Sequence, residues 1–233
     1  MKYYVIIVAG GTGSRMNASI PKQFLLLNEK PVLMHTIRAF HQSSVKPFIL
    51  LVLNSSYHSY WTDLCSEFGF DIKHTVIGGG EQRFDSVKNA LSFVEPDSLV
   101  AVHDAVRPVV SEELIFRCFS EAAENGSAIP VTASRDSLRR REGEHSVALR
   151  REDIFIVQTP QVFRSSILKQ AYLQPFNSEF TDDASVVEKN GGNIHTTEGD
   201  PANIKITYPE DLEIAALLLN KRAKKNPDKP DLN

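Results

Sequence analysis

Residues 3–15 read YYVIIVAGGTGSR. The run Tyr3-Tyr4-Val5-Ile6-Ile7-Val8 has no polar alternation and stops at Ala9-Gly10-Gly11-Thr12-Gly13-Ser14-Arg15. A short stretch apolar on both faces is the pattern of a parallel strand covered by helices on both sides. Glycines just past its carboxyl end let backbone N–H groups approach phosphate oxygens, and open parallel sheets bind ligands at that edge. The loop contains Gly11-x-Gly13. Met16, however, stands where a dinucleotide fingerprint requires Gly or Ala, and the Gly-Lys-Ser/Thr ending of a P-loop is missing. A tight strand-to-helix turn could demand these glycines by itself. Arg15 and Lys22 close behind them, with Pro21 stiffening the approach to Lys22, favour a polyphosphate cradle.

The same rhythm continues outward. Residues 47–53 (PFILLVL), 71–77 and 99–102 read as further strands. Helical patterns lie between them. One starts at Pro31, a good first-turn residue, and runs to about Ser43; a second carries Trp61, Leu64 and Phe68; a third carries Phe84, Val87, Leu91 and Val94. A fourth opens at Ser111 with Glu112 and Glu113 in its first turn and stops at Gly126. A last helix begins with the capping box Thr207-x-x-Glu210 and ends in Lys221, Arg222, Lys224 and Lys225. This alternation predicts an α/β fold with a doubly wound, mainly parallel sheet. Residues 1–225 are expected to form a single domain, and 226–233 a flexible tail. A charged segment of about 134–153, centred on Glu142-Gly143-Glu144, interrupts the rhythm. It reads either as a β-hairpin arm projecting from the domain or as a mobile surface loop, and composition does not choose between them.

Composition excludes several classes. The 233 residues are 42% hydrophobic and 24% charged, ordinary for a globular chain that buries a core without metal or disulfide. Lys plus Arg number 26 against 29 Asp plus Glu, so no nucleic-acid footprint is expected. The first apolar run is too short to span a bilayer and lacks signal-peptide anatomy, so neither membrane nor export is expected. Cys65 and Cys118 lie far apart in helix-like patterns, which suits a reducing cytoplasm better than a disulfide.

Two further segments carry candidate chemistry. In Val102-His103-Asp104-Ala105-Val106-Arg107-Pro108, Asp104 follows the fourth strand. A carboxylate there can ligate Mg²⁺ together with phosphate oxygens, or it can be a turn or cap residue. His103 is expected to make a structural hydrogen bond, and the seven His show no zinc-ligand spacing. In Gly78-Gly79-Gly80-Glu81-Gln82-Arg83-Phe84-Asp85-Ser86, three successive glycines suggest close backbone approach to a flat ligand such as a base.

Together these segments resemble the 2-C-methyl-D-erythritol 4-phosphate cytidylyltransferases over nearly the whole chain. The likeness rests on Ala9 to Leu25, Gly79 to Val87 and His103 to Pro108, then Thr159-Pro160-Gln161, Thr181-Asp182-x-Ala184-Ser185 and Asn203-Ile204-Lys205-Ile206-Thr207 with Pro209-x-Asp211-Leu212. The resemblance implies a Rossmann-like nucleotidyltransferase with a projecting arm, which joins CTP to 2-C-methyl-D-erythritol 4-phosphate and releases pyrophosphate in isoprenoid precursor biosynthesis. It implies that Ala9, Gly10, Gly11 and Gly13 wrap the CTP phosphates, with Asp104 and Ala105 also at the nucleotide. Gly80 and Ser86 contact cytosine in a pocket too small for a purine. Arg15 and Lys22 stabilise the transition state, and Asp104 helps hold Mg²⁺, or another divalent cation, and the acceptor. Arg151 and Lys205 position the acceptor phosphate, with Arg107 and Thr159 nearby. Ser137, where the family usually has threonine, reaches the acceptor of a neighbouring subunit, because the family's arm builds a homodimer. Two departures stand out: the approach Pro130-Val131-Thr132-Ala133-Ser134-Arg135-Asp136 is longer than the family's, and Ala202 precedes Asn203 where some members carry Asp.

Three rivals are distinguishable. A ribitol 5-phosphate or other polyol-phosphate cytidylyltransferase keeps the CTP half and changes the acceptor. An NAD-dependent oxidoreductase needs an acidic ribose ligand about 20 residues past the glycine loop. Glu29 is available, but it follows Asn28 in a turn rather than ending a second strand. A non-catalytic nucleotide-binding regulator has no use for Arg15 and Lys22 together with Asp104 and a second cation pair.

Overall fold

A computed structural model describes residues 1–9 and 20–225. Gly10, Gly11, Gly13 and Arg15 of the glycine loop, and the 226–233 tail, lie outside the described residues. The chain runs β1 (Tyr3–Val8), β2 (Leu26–Leu27), β3 (Lys30–Pro31), α1 (Val32–Gln42), β4 (Phe48–Leu53), α2 (His58–Glu67), β5 (Thr75–Gly78) and α3 (Arg83–Leu91). It continues through β6 (Leu99–Asp104), α4 (Glu112–Asn125), β7 (Ser127–Ala133), β8 (Leu138–Glu142), β9 (His145–Leu149), β10 (Phe155–Val157) and β11 (Gln161–Arg164). It closes with α5 (Ser165–Ala171), α6 (Asp183–Lys189), β12 (Thr196–Glu198) and α7 (Glu210–Lys225).

The main sheet has the order β10-β7-β11-β6-β1-β4-β5, with β12 on β7. Its β5-β4-β1-β6 half is parallel, and β11 and β10 add antiparallel pairings beyond β6. The two-sided apolar pattern of the strands has a direct cause. In β1, Val5 and Ile7 pack with α1, α2 and α4, while Tyr4 and Ile6 pack with α3, α5 and α6. In β4, Ile49, Leu51 and Leu53 divide from Leu50 and Val52 in the same way. The chain leaves β1 toward β4 and β5, then crosses through α3 to β6 on the other side of β1. That reversal opens a crevice at the carboxyl ends of β1 and β6, where doubly wound sheets bind ligands.

Several local expectations are corrected. Pro31 caps α1 and is not its first helical residue. Asp71 to His74 is not strand: the His74 ring binds the Ile72 carbonyl and accepts the Trp61 indole N–H, so β5 begins at Thr75. β6 runs two residues further than expected, and Asp104 pairs with Val8 inside the sheet. Thr207 does not form a capping box with Glu210. Its hydroxyl donates to the Lys205 carbonyl, and the Asp211 carboxylate accepts the Thr207 and Tyr208 N–H groups. Ser111 and Gly126 do cap α4, the latter with φ +88°. Glu29 lies with Asn28 in the β2–β3 turn, both at positive φ, away from the end of any central strand.

The segment after β7 forms a hairpin, β8 paired with β9 around Gly143 at φ +62°. It makes a separate two-stranded sheet, and most of its residues are exposed. Beside its base, Phe155, Ile156 and Val157 of β10 are 55%, 52% and 41% exposed, an apolar run out of keeping with the covered sheet.

Candidate active site

The crevice is a cleft of about 350 Å³ lined by Ala9, Lys22, Gly80, Arg83, Ser86, Asp104 and Lys205, among others. Each wall has a local cause. Pro21 leads into a single 3₁₀ turn, Lys22–Phe24. The buried Gln23 amide donates to the Ala9 carbonyl at 2.8 Å, and Phe24 packs edge-on to Tyr60, with ring centroids 5.1 Å apart. The turn is thereby pinned to the end of β1, and Lys22 Nζ reaches the Ile206 carbonyl at 3.0 Å.

The Gly79–Ser86 wall is set by packing within the protein. The Gly80 N–H donates to Ser86 Oγ at 3.1 Å, and a Cβ on Gly80 would fall 2.3 Å from the Asp85 Cβ. Glycine is required there by the first turn of α3. That turn carries a capping box between Gln82 and Asp85. The tight approach leaves the Gly80 backbone and Ser86 facing the cleft.

Asp104 is the electrostatic centre. Its Oδ2 accepts from Lys205 Nζ at 3.0 Å and Arg107 Nε at 3.2 Å. Burial alone would raise its pKa, but Lys205, Arg83 and Arg107 together hold it well below the usual carboxylate range. It is ionised throughout the physiological range. Behind it the polar groups form a chain. The Asp104 N–H donates to Thr159 Oγ1 at 3.1 Å, and Thr159 Oγ1 lies 3.1 Å from His103 Nδ1. His103 Nε2 donates to the Arg107 carbonyl at 3.2 Å, which makes Nδ1 the acceptor of the Thr159 hydroxyl. Burial pushes His103 down to about 4, so the ring stays neutral. Asn203 Nδ2 donates to the Thr159 carbonyl and Arg107 Nη1 to the Asn203 carbonyl, tying residues 203–206 to the turn after β6.

The structure thus brings together Ala9, Lys22, Gly80, Ser86, Asp104, Ala105 and Lys205. Arg107 and Thr159, expected beside the acceptor, are engaged behind Asp104 and do not line the cleft. Ser137 and Arg151 are elsewhere. They line a groove at the base of the arm with Leu138, Arg139 and Glu152. Arg151 pairs there with Glu152 at 3.3 Å and donates to the Arg135 carbonyl. Within one chain, Arg151 and Lys205 do not share a site. Gln23 and Arg83, which shape the cleft, are missing from the sequence-based candidates, although both lie in the family-like segments Ala9 to Leu25 and Gly79 to Val87; what each does depends on its partner across the fold.

Among the described residues, no group of three or more His, Cys, Asp or Glu could hold a metal ion. The donor set offers the ionised Asp104 at a strand end. That fits Mg²⁺ completed by phosphate oxygens and water, and does not fit a cage made by protein alone. No helix among the described residues is long and apolar enough to cross a membrane.

Residues 3–221 match the family model of 2-C-methyl-D-erythritol 4-phosphate cytidylyltransferase, IspD. The chain belongs to this family. A relative of that name from Bacteroides fragilis is 50% identical over 214 residues, covering 92% of this chain and 98% of its own. Another, from Porphyromonas gingivalis, is 47% identical over 94% of this chain and 98% of its own. Among solved structures, the 2-C-methyl-D-erythritol 4-phosphate cytidylyltransferase of Francisella tularensis superposes with a TM-score of 0.78 at 30% identity, covering 94% of this chain and all of that one. The Thermus thermophilus enzyme gives 0.76 at 28% identity, with the same coverage. Membership accounts for the order of the cleft-lining segments along the chain and removes the oxidoreductase reading.

Proposed function

We propose that this protein joins CTP and 2-C-methyl-D-erythritol 4-phosphate, releasing pyrophosphate, in isoprenoid precursor biosynthesis. The observation that carries this reading is the cleft itself. The Gly80–Ser86 wall faces two lysines and an ionised carboxylate at the switch point of a doubly wound sheet.

The acceptor phosphate is anionic at neutral pH and needs no general base. One of its oxygens bonds to the α-phosphorus of CTP, the bond to the bridging oxygen breaks, and that electron pair leaves with pyrophosphate. The work of the protein is positioning and charge neutralisation. Gly80 and Ser86 seat cytosine. Lys22, with Arg15 and the glycine loop Gly10, Gly11 and Gly13, neutralises the triphosphate and the charge that grows on it. Asp104 would hold Mg²⁺, which, when bound, withdraws charge from the phosphates. Arg107 and Thr159 keep Asp104 in place. Lys205 exchanges its contact with Asp104 for the acceptor phosphate.

The acceptor side is completed by a second copy of the chain. Ser137 and Arg151 share the arm groove, remote from Lys205, and the arm is a two-stranded ribbon beside an exposed apolar strand. Such a ribbon is marginal alone, and two-fold pairing of arms supplies the missing contact. Residues 1–225 act as one catalytic unit in this dimer, and two unpaired thiols, Cys65 and Cys118, suit the cytoplasm.

The test is pyrophosphate release with CTP against a panel of sugar and polyol phosphates. Turnover with methylerythritol phosphate at least about tenfold better than with ribitol 5-phosphate is expected. The reverse order would assign the chain to the polyol-phosphate enzymes.

A further inference from the structure

Three sequence motifs converge behind the cleft without a part in the reaction as described: Arg83 after the glycine wall, Gln161 after Thr159, and the Asp182-Asp183 pair at the start of α6. Arg83 Nη2 donates to Asp183 Oδ2 at 2.6 Å, joining residues 100 positions apart. The Arg83 side chain is 32% exposed and lines the cleft, whereas the Asp183 side chain is fully buried. The second carboxylate oxygen of Asp183 accepts from the Tyr172 hydroxyl at 2.7 Å. Tyr172 in turn stacks on Phe84, the neighbour of Arg83, with centroids 4.6 Å apart and rings 18° from parallel.

The frame behind this cluster leads back to Asp104. Gln161 is paired with Val102 in the β11–β6 ladder. Its fully buried amide spans the first turn of α6, donating to Asp182 Oδ2 at 2.8 Å and accepting the Ala184 N–H at 3.0 Å. The strand that ends in Asp104 therefore also sets where Asp183 stands, and Asp183 sets where the guanidinium of Arg83 stands.

A buried carboxylate paired with arginine is weak as a source of stability, because apolar groups of similar volume often do as well or better. Here the pair fixes a planar, donor-only cation in the lining of the cleft, together with Gly80 and Ser86. Such a cation suits a nucleotide, which presents acceptor atoms on both its base and its phosphates. We infer that Asp183 and Tyr172 are positioning residues for CTP, acting through Arg83, whose guanidinium they hold against the nucleotide half of the cleft.

This rests on the cytidylyl-transfer reading, so CTP binding is measured by calorimetry without acceptor, and turnover separately. Asp183→Asn should weaken CTP binding about tenfold and leave the acceptor KM within about twofold. Arg83→Ala should weaken CTP binding at least as much, and the double variant no further, because both changes remove one device. Arg83→Lys, which keeps the charge and loses the fork, should rescue binding in part. Tyr172→Phe leaves the ion pair in place and should give a smaller loss of the same kind. CTP affinity unchanged in Asp183→Asn, with only a lower Tm, overturns the inference, as does full additivity in the double variant. If Asp183→Asn does not fold, unchanged CTP affinity in both Tyr172→Phe and Arg83→Lys overturns it instead. Normal CTP binding with no turnover on methylerythritol phosphate would fault the acceptor assignment and leave the positioning role standing.

Discussion

Lys205 Nζ lies 3.0 Å from Asp104 Oδ2, so a lysine from the far end of the chain covers the carboxylate that ends β6. The lysine side chain is 46% exposed and the carboxylate 13%. If the lysine turns to a phosphate, Arg107 stays on the same carboxylate oxygen at 3.2 Å. Lys205→Ala should raise the acceptor KM by about tenfold or more, with CTP affinity nearly unchanged. Steady-state titration of the acceptor, beside calorimetry with CTP, separates the two. Loss of CTP binding with a normal acceptor response would contradict this division.

Lys22 is held at the cleft by the Gln23–Ala9 bond, and its ammonium reaches the Ile206 carbonyl. Lys22→Ala should lower kcat about 100- to 1,000-fold, the usual cost of one transition-state donor, while changing CTP binding far less. Gln23→Leu tests the anchor: it should lower kcat in the same direction by a smaller factor.

Asp104→Asn replaces an anion by a neutral isostere while Arg107 and Lys205 remain. The Mg²⁺ concentration needed for half-maximal activity should rise several-fold, with far-ultraviolet circular dichroism unchanged. An unaltered Mg²⁺ titration would leave Asp104 with the role of seating Lys205 and Arg107 alone.

His103 titrates near 6.5 in an unfolded chain and at about 4 in the fold, where burial keeps it neutral. Between those values the unfolded chain binds more protons, so stability rises with pH and is lost as pH falls from 6.5 toward 4. The gap corresponds to about 3 kcal/mol. Asp104, depressed in the fold, weakens stability only below the unfolded carboxylate range near 4. Urea midpoints at pH 7 and pH 5 should therefore differ clearly in the native protein. They should differ less in His103→Gln, which cannot take up the proton.

If Ser137 and Arg151 serve the neighbouring subunit, two inactive variants should complement. Lys22→Ala damages the cleft and Arg151→Ala the arm. A mixed dimer contains one intact site, so mixing the two in equal amounts should recover about one quarter of native activity, given random pairing of two-fold dimers. No recovery after subunit exchange, verified by sedimentation, would refute the shared site. Replacing the arm by a short Gly-Ser turn should give a monomer that binds CTP and turns over poorly.

What was legible in the sequence is what local chemistry dictates. Runs such as YYVIIVA and PFILLVL have no polar face, so they are strands covered on both sides, and the order of strands and helices then dictates a doubly wound sheet. Ser111 and Gly126 mark the ends of α4 because caps act within one turn. Lys22, Gly80 and Asp104 were legible as candidates because glycines and charges at strand ends can serve a ligand as well as a turn, and Ser86 only through the family resemblance. Contacts between distant segments were not legible. The bonds Gln23–Ala9, Arg83–Asp183 and Thr159–His103 join residues whose types are unremarkable until the sheet order brings them together. Tertiary structure also decided that Arg151 stands apart from Lys205; the Gly80–Asp85 and Thr207–Asp211 contacts are local, and they follow from backbone geometry that residue type alone does not fix. Hydrophobic patterning encodes which face of an element is buried, since that depends on each residue's own apolar surface. A hydrogen bond or ion pair depends on two groups meeting within about 3 Å, and only the folded chain sets that distance.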